Sequence, residues 1–201
     1  MTVPPPEPTG AAGPAGSAGA SLRRVGPRGD LAADGTFGVA LTGLWHDVSQ
    51  AGGSVGFVPP VERPAVAAKV AVTVDALRAG KELAVAAIAD RKLVGFGILR
   101  PGTGLQAHTG YLGSLMVLPD LGGNGLGSTL LTELIGWARE IGLERLELSA
   151  RDGMGLETFY RRFGFVEWGR RPGWIRVAAD DDRDEIFYWL DLRSPGPGES
   201  G

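Results

Sequence analysis

The stretch from residue 115 to residue 141 limits the possible folds of this chain more than any other part of the sequence. It reads LMVLPDLGGNGLGSTLLTELIGWAREI: an apolar run, four glycines within six residues, and then a long amphipathic segment. The run 115–118 is typical of a buried strand, and the later apolar residues recur at helical spacing. The stretch therefore predicts a strand, a glycine-rich turn and a helix that ends near Gly142.

The glycine-rich turn is the part of this unit that predicts a ligand. Glycine permits positive φ angles and lets a ligand approach the main chain closely. Free N–H groups at the start of a helix, together with the helix dipole, favour an anion. We therefore expect a phosphate-bearing ligand at this turn, with an ordinary glycine-rich loop as the alternative interpretation.

The spacing of these glycines separates two known phosphate motifs. The dinucleotide pattern GxGxxG fails, because Ser128 or Leu130 takes the place of the third glycine in the two frames. The P-loop pattern GxxxxGK(S/T) fits better, since Gly122, Gly127 and Thr129 match, but Ser128 stands where lysine is required. Without that lysine the β- and γ-phosphates lose their main charged partner, so a nucleotide-phosphate protein stays as one hypothesis among others.

Composition and charge exclude several classes of function. Lys and Arg total 20 against 23 for Asp and Glu, and a net charge of −3 gives no electrostatic argument for nucleic acid or an anionic membrane. The absence of cysteine excludes thiol nucleophiles, thiolate metal sites and disulfides. Only His46 and His108 could supply imidazole, which excludes a multi-histidine metal site, so we expect no metal.

The chain is long enough for one domain with its own core. Residues 1–20 include 15 Pro, Gly, Ala or Ser residues, which predicts a disordered N-terminal tail before a domain at 21–193. The Gly- and Pro-rich segment 194–201 predicts a flexible C-terminal tail. No apolar run approaches the roughly 20 residues of a membrane span, and the N-terminus lacks a signal-peptide core, so we expect a soluble, cytoplasmic protein.

Patterning along the rest of the chain predicts the order β-α-α-β-β-β-α-β-α-β-β. This order predicts an α/β (α+β) fold in which a mixed sheet carries helices on both faces. Loops are expected at 30–38 and, as a long polar segment, at 170–184. Helices are predicted at 39–51, 62–78 and 156–163, and strands at 22–25, 83–89, 93–99, 145–150, 165–169 and 185–192.

Two segments, residues 115–131 and FYRRFGF at 159–165, resemble the GCN5-related N-acetyltransferase (GNAT) family. The resemblance extends in element order from about residue 22 to residue 192. Within it, GMGLETFYRRFGFVEWGR followed by DDRDEIFYWL is similar to bacterial small-molecule acetyltransferases. The resemblance implies a mixed, mostly antiparallel central sheet flanked by helices, and acetyl-CoA as the co-substrate.

The family's acetyl-CoA motif, Q/R-x-x-G-x-G/A, falls on residues 122–127. Its two glycines match, but Gly122 replaces the leading Gln or Arg, which removes one side-chain contact. The resemblance implies that the backbone of 123–128 holds the pyrophosphate and that the strand 115–117 pairs with the pantetheine arm. The implied cofactor-binding residues are Leu115, Met116, Val117, Gly123, Asn124, Gly125, Leu126, Gly127 and Ser128.

The resemblance also implies direct acetyl transfer, in which a neutral amine attacks the thioester and coenzyme A leaves as a thiolate. Tyr160 stands at the family's tyrosine position and is the implied acid for that thiolate. Without the resemblance, Tyr160 reads as a core aromatic beside Phe159 and Phe163. A backbone N–H near Met116 or Val117 is the expected oxyanion donor.

The general base stays unassigned. Ser114 is a candidate for positioning a water, and His108 and Glu167 are candidates by neighbourhood. We expect the acceptor between the first two helices and the loop before the last strand. Its candidate walls are Trp45, Phe57, Trp174 and Arg176, with Asp180, Asp181, Asp182 and Asp184 either attracting a cationic amine or forming a solvated charged run.

The leading hypothesis is an N-acetyltransferase that moves an acetyl group from acetyl-CoA to a primary amine of a small molecule. A protein N-terminus stays open as the acceptor, and a homodimer stays open as the assembly. The alternative is a catalytically degenerate acyl-CoA sensor, which the departure at Gly122 motivates, and the third hypothesis is the nucleotide-phosphate protein. Neither nucleic acid nor a membrane is expected as a partner.

Overall fold

A seven-stranded sheet forms the centre of the structure, a computed structural model that describes residues 19–27 and 30–194. Its strand order is β1-β2-β3-β4-β5-β7-β6. The strands are β1 Ser21–Val25, β2 Leu83–Ala89, β3 Lys92–Pro101, β4 Thr109–Val117, β5 Arg145–Arg151, β6 Val166–Ala178 and β7 Asp181–Asp191. The helices are α1 Asp30–Ala33, α2 Gly35–Gln50, α3 Arg63–Arg78, α4 Leu126–Glu140 and α5 Glu157–Arg161.

Neighbouring strands are antiparallel except β4 and β5, which run parallel and pair only at their starts. The pairs are Thr109 with Arg145, Gly110 with Leu146 and Tyr111 with Glu147. Beyond them β4 continues to Val117 and β5 to Arg151 without pairing to each other. The predicted mixed, mostly antiparallel sheet is confirmed, and the separation of β4 from β5 beyond these three pairs leaves an opening within it.

Both faces of the sheet are covered, as predicted, because each face has its own apolar cluster. On one face α4 packs Leu130, Leu131 and Leu134 against the strands. On the other face α2 and α3 enclose Trp45 and Phe96, both fully buried. Gly97 on β3 leaves room for this packing, since a Cβ there would lie 2.7 Å from a methyl carbon of Leu134 and would force that side chain to shift.

The predicted strand, glycine turn and helix are confirmed as β4, the glycine-containing segment 122–125 that follows a short 3-10 helix at Pro119–Leu121, and α4. Gly142 follows the helix with φ +81°, the left-handed conformation typical of a residue that ends a helix. The predicted strands 83–89 and 93–99 are confirmed as β2 and β3, which form a hairpin. Its turn residues Asp90 and Arg91 both have positive φ, as a type I′ turn of two residues requires.

The loop predicted at 30–38 is wrong, because the segment contains α1 and the start of α2. Asp34 precedes α2, and its carboxylate accepts a hydrogen bond of 2.8 Å from the N–H of Thr36. This N-terminal cap stabilises a first turn that includes Gly35 and Gly38. Two glycines lower the helix propensity of the segment, which is why its sequence resembles a loop.

The long polar loop predicted at 170–184 is also wrong. Most of these residues belong to β6 and β7, which form a long hairpin turning at Ala179 and Asp180. Exposed side chains cover much of the distal part of β6, so its polarity reflects solvent exposure and not an absence of strand.

The predicted tails lie outside the described residues, apart from Gly19, Ala20 and Ser194, so both stay predictions. Within residues 19–27 and 30–194, no helix is long and apolar enough to cross a membrane.

Candidate active site

The glycine-rich turn begins α4 with a series of unused backbone donors. Gly123 and Gly125 have φ of +78° and +80°, conformations that side-chain-bearing residues rarely adopt. Within the described part of the chain, no group accepts a hydrogen bond from the six amides of residues 123–128, whereas the N–H of Thr129 already bonds the Gly125 carbonyl at 3.0 Å. Six free amides at a helix N-terminus suit an anion such as a pyrophosphate.

A cavity of about 360 Å³ lies against this turn. We call it the turn cavity. Eight of the ten residues predicted for the site line it; Leu126 is buried in the core beneath α4, and Asn124 stays outside the lining. The predicted lining residues are Leu115, Met116, Val117, Gly123, Gly125, Gly127, Ser128 and Tyr160.

Arg162 also lines the turn cavity, and the sequence argument missed it. Its side chain is exposed and lies 5.8 Å from the Phe159 ring, while the neighbouring Arg161 forms an ion pair with Glu157 at 2.7 Å. Arg162 therefore places a positive charge beside a turn whose motif lacks its usual Gln or Arg. Arg162 directly follows α5, the helix that contains Tyr160, and this position in the sequence could have suggested its place at the cavity.

Tyr160 is held in a cage of aromatic rings and is only 8% exposed. Phe159, Phe165 and Tyr188 lie 5.2, 5.9 and 5.7 Å from it between ring centroids. This burial is the main reason that the pKa of the Tyr160 phenol rises to about 12, with smaller contributions from Tyr111 and Tyr188. The group therefore stays protonated at any physiological pH and can donate a hydrogen bond.

A second cavity, of about 210 Å³, occupies the opening between β4 and β5. We call it the strand cavity. Residues of the loop after α2, such as Val55, form one wall, and Ser149 of β5 forms another. It shares Tyr160, Leu156 and the strand 115–117 with the turn cavity. A group at this common boundary is therefore in reach of both cavities.

Ser114, one of the candidate base residues, lies in the strand cavity at an irregularity of β4. The register between β3 and β4 shifts between Phe96 and Ile98, and Ser114 has φ +52°. This geometry is a β-bulge, which leaves backbone groups outside the ladder. The bulge turns this stretch of β4 so that Leu115 and Val117 pack towards α4 while Met116 packs towards α2.

The other two candidate bases lie elsewhere. His108 is exposed in the loop before β4, and its carbonyl accepts a hydrogen bond from the N–H of Glu144 at 2.7 Å. Glu167 forms an ion pair with Arg170 at 2.6 Å, which lowers the pKa of its carboxyl group. Neither residue lines the turn cavity or the strand cavity.

A chain of side-chain hydrogen bonds reaches the strand cavity from the side of the sheet opposite α4. Tyr111 Oη lies 2.9 Å from Ser149 Oγ, and Ser149 Oγ donates to Glu185 Oε1 at 2.9 Å. Sequence reasoning missed this chain, because its three members come from three strands far apart in the sequence. Side chains alternate between the two faces of a strand, so the shared face of these three residues can be recognised only once the strand register is known.

A larger cleft of about 680 Å³ adjoins this chain on the same face. Tyr111, Trp168 and Trp189 supply aromatic walls, and Arg100 and Arg145 line it as well. Since Tyr111 lines the cleft and Ser149 lines the strand cavity, the two spaces meet at the Tyr111–Ser149 hydrogen bond.

The predicted acceptor walls are not brought together. Trp45 is fully buried, and its indole N–H donates to the Val55 carbonyl at 2.8 Å, so it supports a cavity wall from behind. Phe57 packs against the cluster under α2 and α3. Trp174 is 65% exposed on the β6–β7 hairpin, away from both cavities. Arg176 pairs with Asp182 at 2.7 Å on the same hairpin.

The acidic run is largely neutralised by its own neighbours. Arg183 pairs with Asp181 and Arg176 with Asp182, and these contacts lower the pKa of both carboxyl groups. Asp184 accepts a hydrogen bond from the N–H of Gly173 at 3.0 Å. Among the described residues there is no cluster of His, Asp or Glu that could hold a metal ion. The charged run is thus a solvated part of the hairpin.

Comparison with known proteins supports a single family. The family described as Acetyltransferase (GNAT) matches residues 58–165, which is more than half of the chain. A search of curated proteins found no match.

Solved structures share the fold. The ribosomal-protein-alanine N-acetyltransferase of Brucella melitensis has a TM-score of 0.66 at 22% identity, over 85% of this chain and 99% of that one. A GNAT acetyltransferase of Streptococcus pneumoniae has a TM-score of 0.66 at 18% identity, over 86% and 99%. The yncA protein of Salmonella typhimurium, solved with its cofactor acetyl-CoA, has a TM-score of 0.65 at 17% identity, over 90% and 99%. With the family match over residues 58–165, the chain belongs to the GNAT family of acetyltransferases.

Proposed function

We propose that this protein transfers an acetyl group from acetyl-CoA to a primary amine of a small molecule. The observation that carries the proposal is the shared boundary of the turn cavity and the strand cavity at Tyr160. A thioester placed there from the turn side would be accessible to an amine from the strand side. The acetyl-CoA bound to the yncA structure supports the choice of co-substrate.

In this proposal the free amides of residues 123–128 hold the pyrophosphate, and the edge of β4 at residues 115–117 pairs with the pantetheine arm. Gly127 lies between Val117 and Phe159, to which a Cβ at this position would make only ordinary contacts of 3.9 and 4.0 Å. Asn124 and Leu126 contribute through their backbones only. Arg162 offers the side-chain charge that Gly122 lacks.

Tyr160 serves the departing sulfur as a hydrogen-bond donor. A thiol has a pKa near 8.5 by analogy with cysteine, whereas the pKa of Tyr160 is about 12. Full transfer of the phenol proton to the thiolate would therefore be uphill by roughly 5 kcal/mol. Donation of a hydrogen bond stabilises the developing charge without that transfer, and solvent can protonate coenzyme A later.

The size of the strand cavity supports a small reacting group. About 210 Å³ is less than the roughly 300–1,000 Å³ of typical ligand pockets, so it suits an acetyl group and an amine head, with the rest of the acceptor outside. The aromatic cleft beside Tyr111 is the adjoining space for that remainder.

The proposal can be tested by measuring the release of coenzyme A from acetyl-CoA in the presence of a panel of acceptors. The panel contains aromatic amines, aliphatic amines, amino acids and a peptide with an N-terminal alanine. We expect small amines to release the thiol and Tyr160→Phe to lower kcat while the Kd of acetyl-CoA stays unchanged. Preference for the peptide would move the acceptor class to protein N-termini. Binding of acetyl-CoA without release by any amine would favour the sensor, and tighter binding of ATP than of acetyl-CoA would contradict the proposal.

A further inference from the structure

The hydrogen bonds that join Tyr111, Ser149 and Glu185 have only one possible direction. Ser149 has one hydroxyl hydrogen, and it is donated to the carboxylate of Glu185. The Tyr111–Ser149 contact of 2.9 Å must then use the phenol hydrogen, because Ser149 has none left. The order is Tyr111 to Ser149 to Glu185, and one lone pair of Ser149 Oγ stays available.

Ser149 lies at the strand cavity, from which the proposed function has the amine reach the thioester. Ser149 lines the strand cavity together with Ser114 and Tyr160. Tyr111 is near enough to Tyr160 to contribute to the raised pKa of its phenol. The lining of the strand cavity therefore includes a hydrogen-bond acceptor at Ser149 and a donor at Tyr160, besides the hydroxyl groups of Ser54 and Ser114.

The carboxylate at the end of the chain is fixed and mostly shielded. The side chain of Glu185 is 18% exposed, and its second oxygen accepts a hydrogen bond from Arg171 at 3.2 Å. Arg171 lies 5.3 Å from the Trp174 ring and 4.7 Å from the Phe187 ring, so its position is also held. The cross-strand neighbour of Glu185 on β5 is Arg151, whose guanidinium bonds the carbonyl of Gly52.

We propose that Ser149 and Glu185 form the amine site of this enzyme, with Ser149 accepting a hydrogen bond from the substrate nitrogen and Glu185 receiving its proton through Ser149. The inference rests on the proposed acetyl transfer. Ser149 is then a catalytic residue, since it touches the reacting nitrogen. Glu185 and Tyr111 are positioning residues that fix which lone pair of Ser149 faces the amine.

The proton and the electrons balance in a single transfer. The nitrogen lone pair forms the C–N bond, the C–S bond breaks, and sulfur leaves with its electron pair as a thiolate that Tyr160 hydrogen-bonds. One nitrogen proton passes to Ser149 Oγ while the hydroxyl proton of Ser149 passes to Glu185 Oε1. The products are the amide, the thiolate of coenzyme A and a protonated Glu185, which solvent then deprotonates.

Kinetics of designed variants test this site with the amine that the panel identifies. Ser149→Ala and Glu185→Gln should each lower kcat by about a hundredfold, the low end of what positioned proton transfer contributes. The double variant should be no slower than the slower single variant, because both belong to one proton path. Ser149→Thr keeps a hydroxyl and should retain most of the activity.

Two further readouts separate this role from a merely structural one. The loss in each variant should appear in kcat, while the Kd of acetyl-CoA should match the wild type in every variant. Glu167→Gln is the matched control, since Glu167 also pairs with an arginine of β6 but lies outside both cavities, and its kinetics should not change.

The failures of the two proposals are distinguishable. A wild-type protein that releases no coenzyme A with any amine ends the proposed function, and this inference with it. Turnover by the wild type together with an unchanged kcat in Glu185→Gln overturns the inference alone. Losses that multiply in the double variant also overturn it, because they show two independent effects.

Discussion

Arg151 donates a hydrogen bond of 2.8 Å from Nη2 to the carbonyl oxygen of Gly52. This contact joins the end of β5 to the loop that follows α2. The same nitrogen lies 3.0 Å from the sulfur of Met154, so the side chain is held from two sides. Since Gly53 and Val55 of that loop line the strand cavity, Arg151 fixes one of its walls without lining it.

Replacing Arg151 with alanine should loosen that wall. We expect the free energy of unfolding to fall by about 1.5–3 kcal/mol, as for the loss of one hydrogen bond from a charged group. The KM of the amine should rise severalfold while the Kd of acetyl-CoA stays constant, because the turn cavity is untouched. Steady-state kinetics and urea denaturation measure both effects. Arg151→Lys is the control: wild-type values in that variant would contradict a role for the guanidinium geometry, and an unchanged KM in Arg151→Ala would contradict any role of Arg151 in the wall.

Gly125→Val should weaken acetyl-CoA binding by tenfold or more. Gly125 has φ +80°, where a β-branched residue is strained by about 1–3 kcal/mol, and its side chain would enter the turn cavity. Calorimetry gives the Kd, and urea denaturation shows whether the variant folds. Gly136→Ala in the same helix has open space around its Cβ and should bind normally. An unchanged Kd in a folded Gly125→Val protein would remove the turn from the binding site.

Arg162→Ala should reduce the affinity for acetyl-CoA by about five- to tenfold at low ionic strength, the effect of one charge on a phosphate. The difference from wild type should shrink in 1 M salt, because exposed charges are screened. Arg161→Ala is the matched neighbour; its guanidinium pairs with Glu157 and does not line the cavity, so its Kd should stay near the wild-type value. Equal effects in both variants would indicate only a general loss of positive charge.

The buried phenol of Tyr160 predicts a specific loss of stability in alkali. Its folded pKa is about 12 against 10 in the unfolded chain, so its contribution is complete below pH 10 and is lost as pH rises towards 12. Because of this ionisation, the free energy of unfolding should fall by roughly 1 kcal/mol per pH unit between pH 10 and pH 12.

Urea denaturation of the wild type and of Tyr160→Phe at pH 9 and pH 11 isolates this contribution. Other groups titrate equally in both proteins, so their effects cancel in the difference between the two stability losses. The wild type should lose about 1 kcal/mol more than Tyr160→Phe between these pH values. Equal losses would show that Tyr160 ionises as easily in the folded state as in the unfolded one.

The parts of the fold that sequence could predict are those encoded locally. The strand, turn and helix around Gly125 follow from an apolar run, clustered glycines and a helical stripe, and all three lie within one continuous segment. The tyrosine position followed from the short motif around Tyr160. In each case the residues that form the sequence pattern are the same neighbouring residues that form the structural element.

The parts that failed depend on distant residues or on solvent. Trp45 lies on the apolar stripe of α2, and this pattern shows that one face of the helix is apolar. The pattern does not show that this face packs on the sheet behind the cavity wall. Ser149 is 38 residues from Tyr111 and 36 from Glu185, so their meeting depends on strand register. The β6–β7 hairpin was hidden because a strand with exposed side chains has the composition of a loop.

The short junction between β4 and β5 has a mechanical consequence. Three residue pairs hold them together, so the sheet consists of a four-stranded part and a three-stranded part with few main-chain links between them. A molecule lying between the separated strand ends would touch both parts and act as a cross-link. Departure of that molecule would leave the two parts freer to move apart, at the place where the next one has to enter.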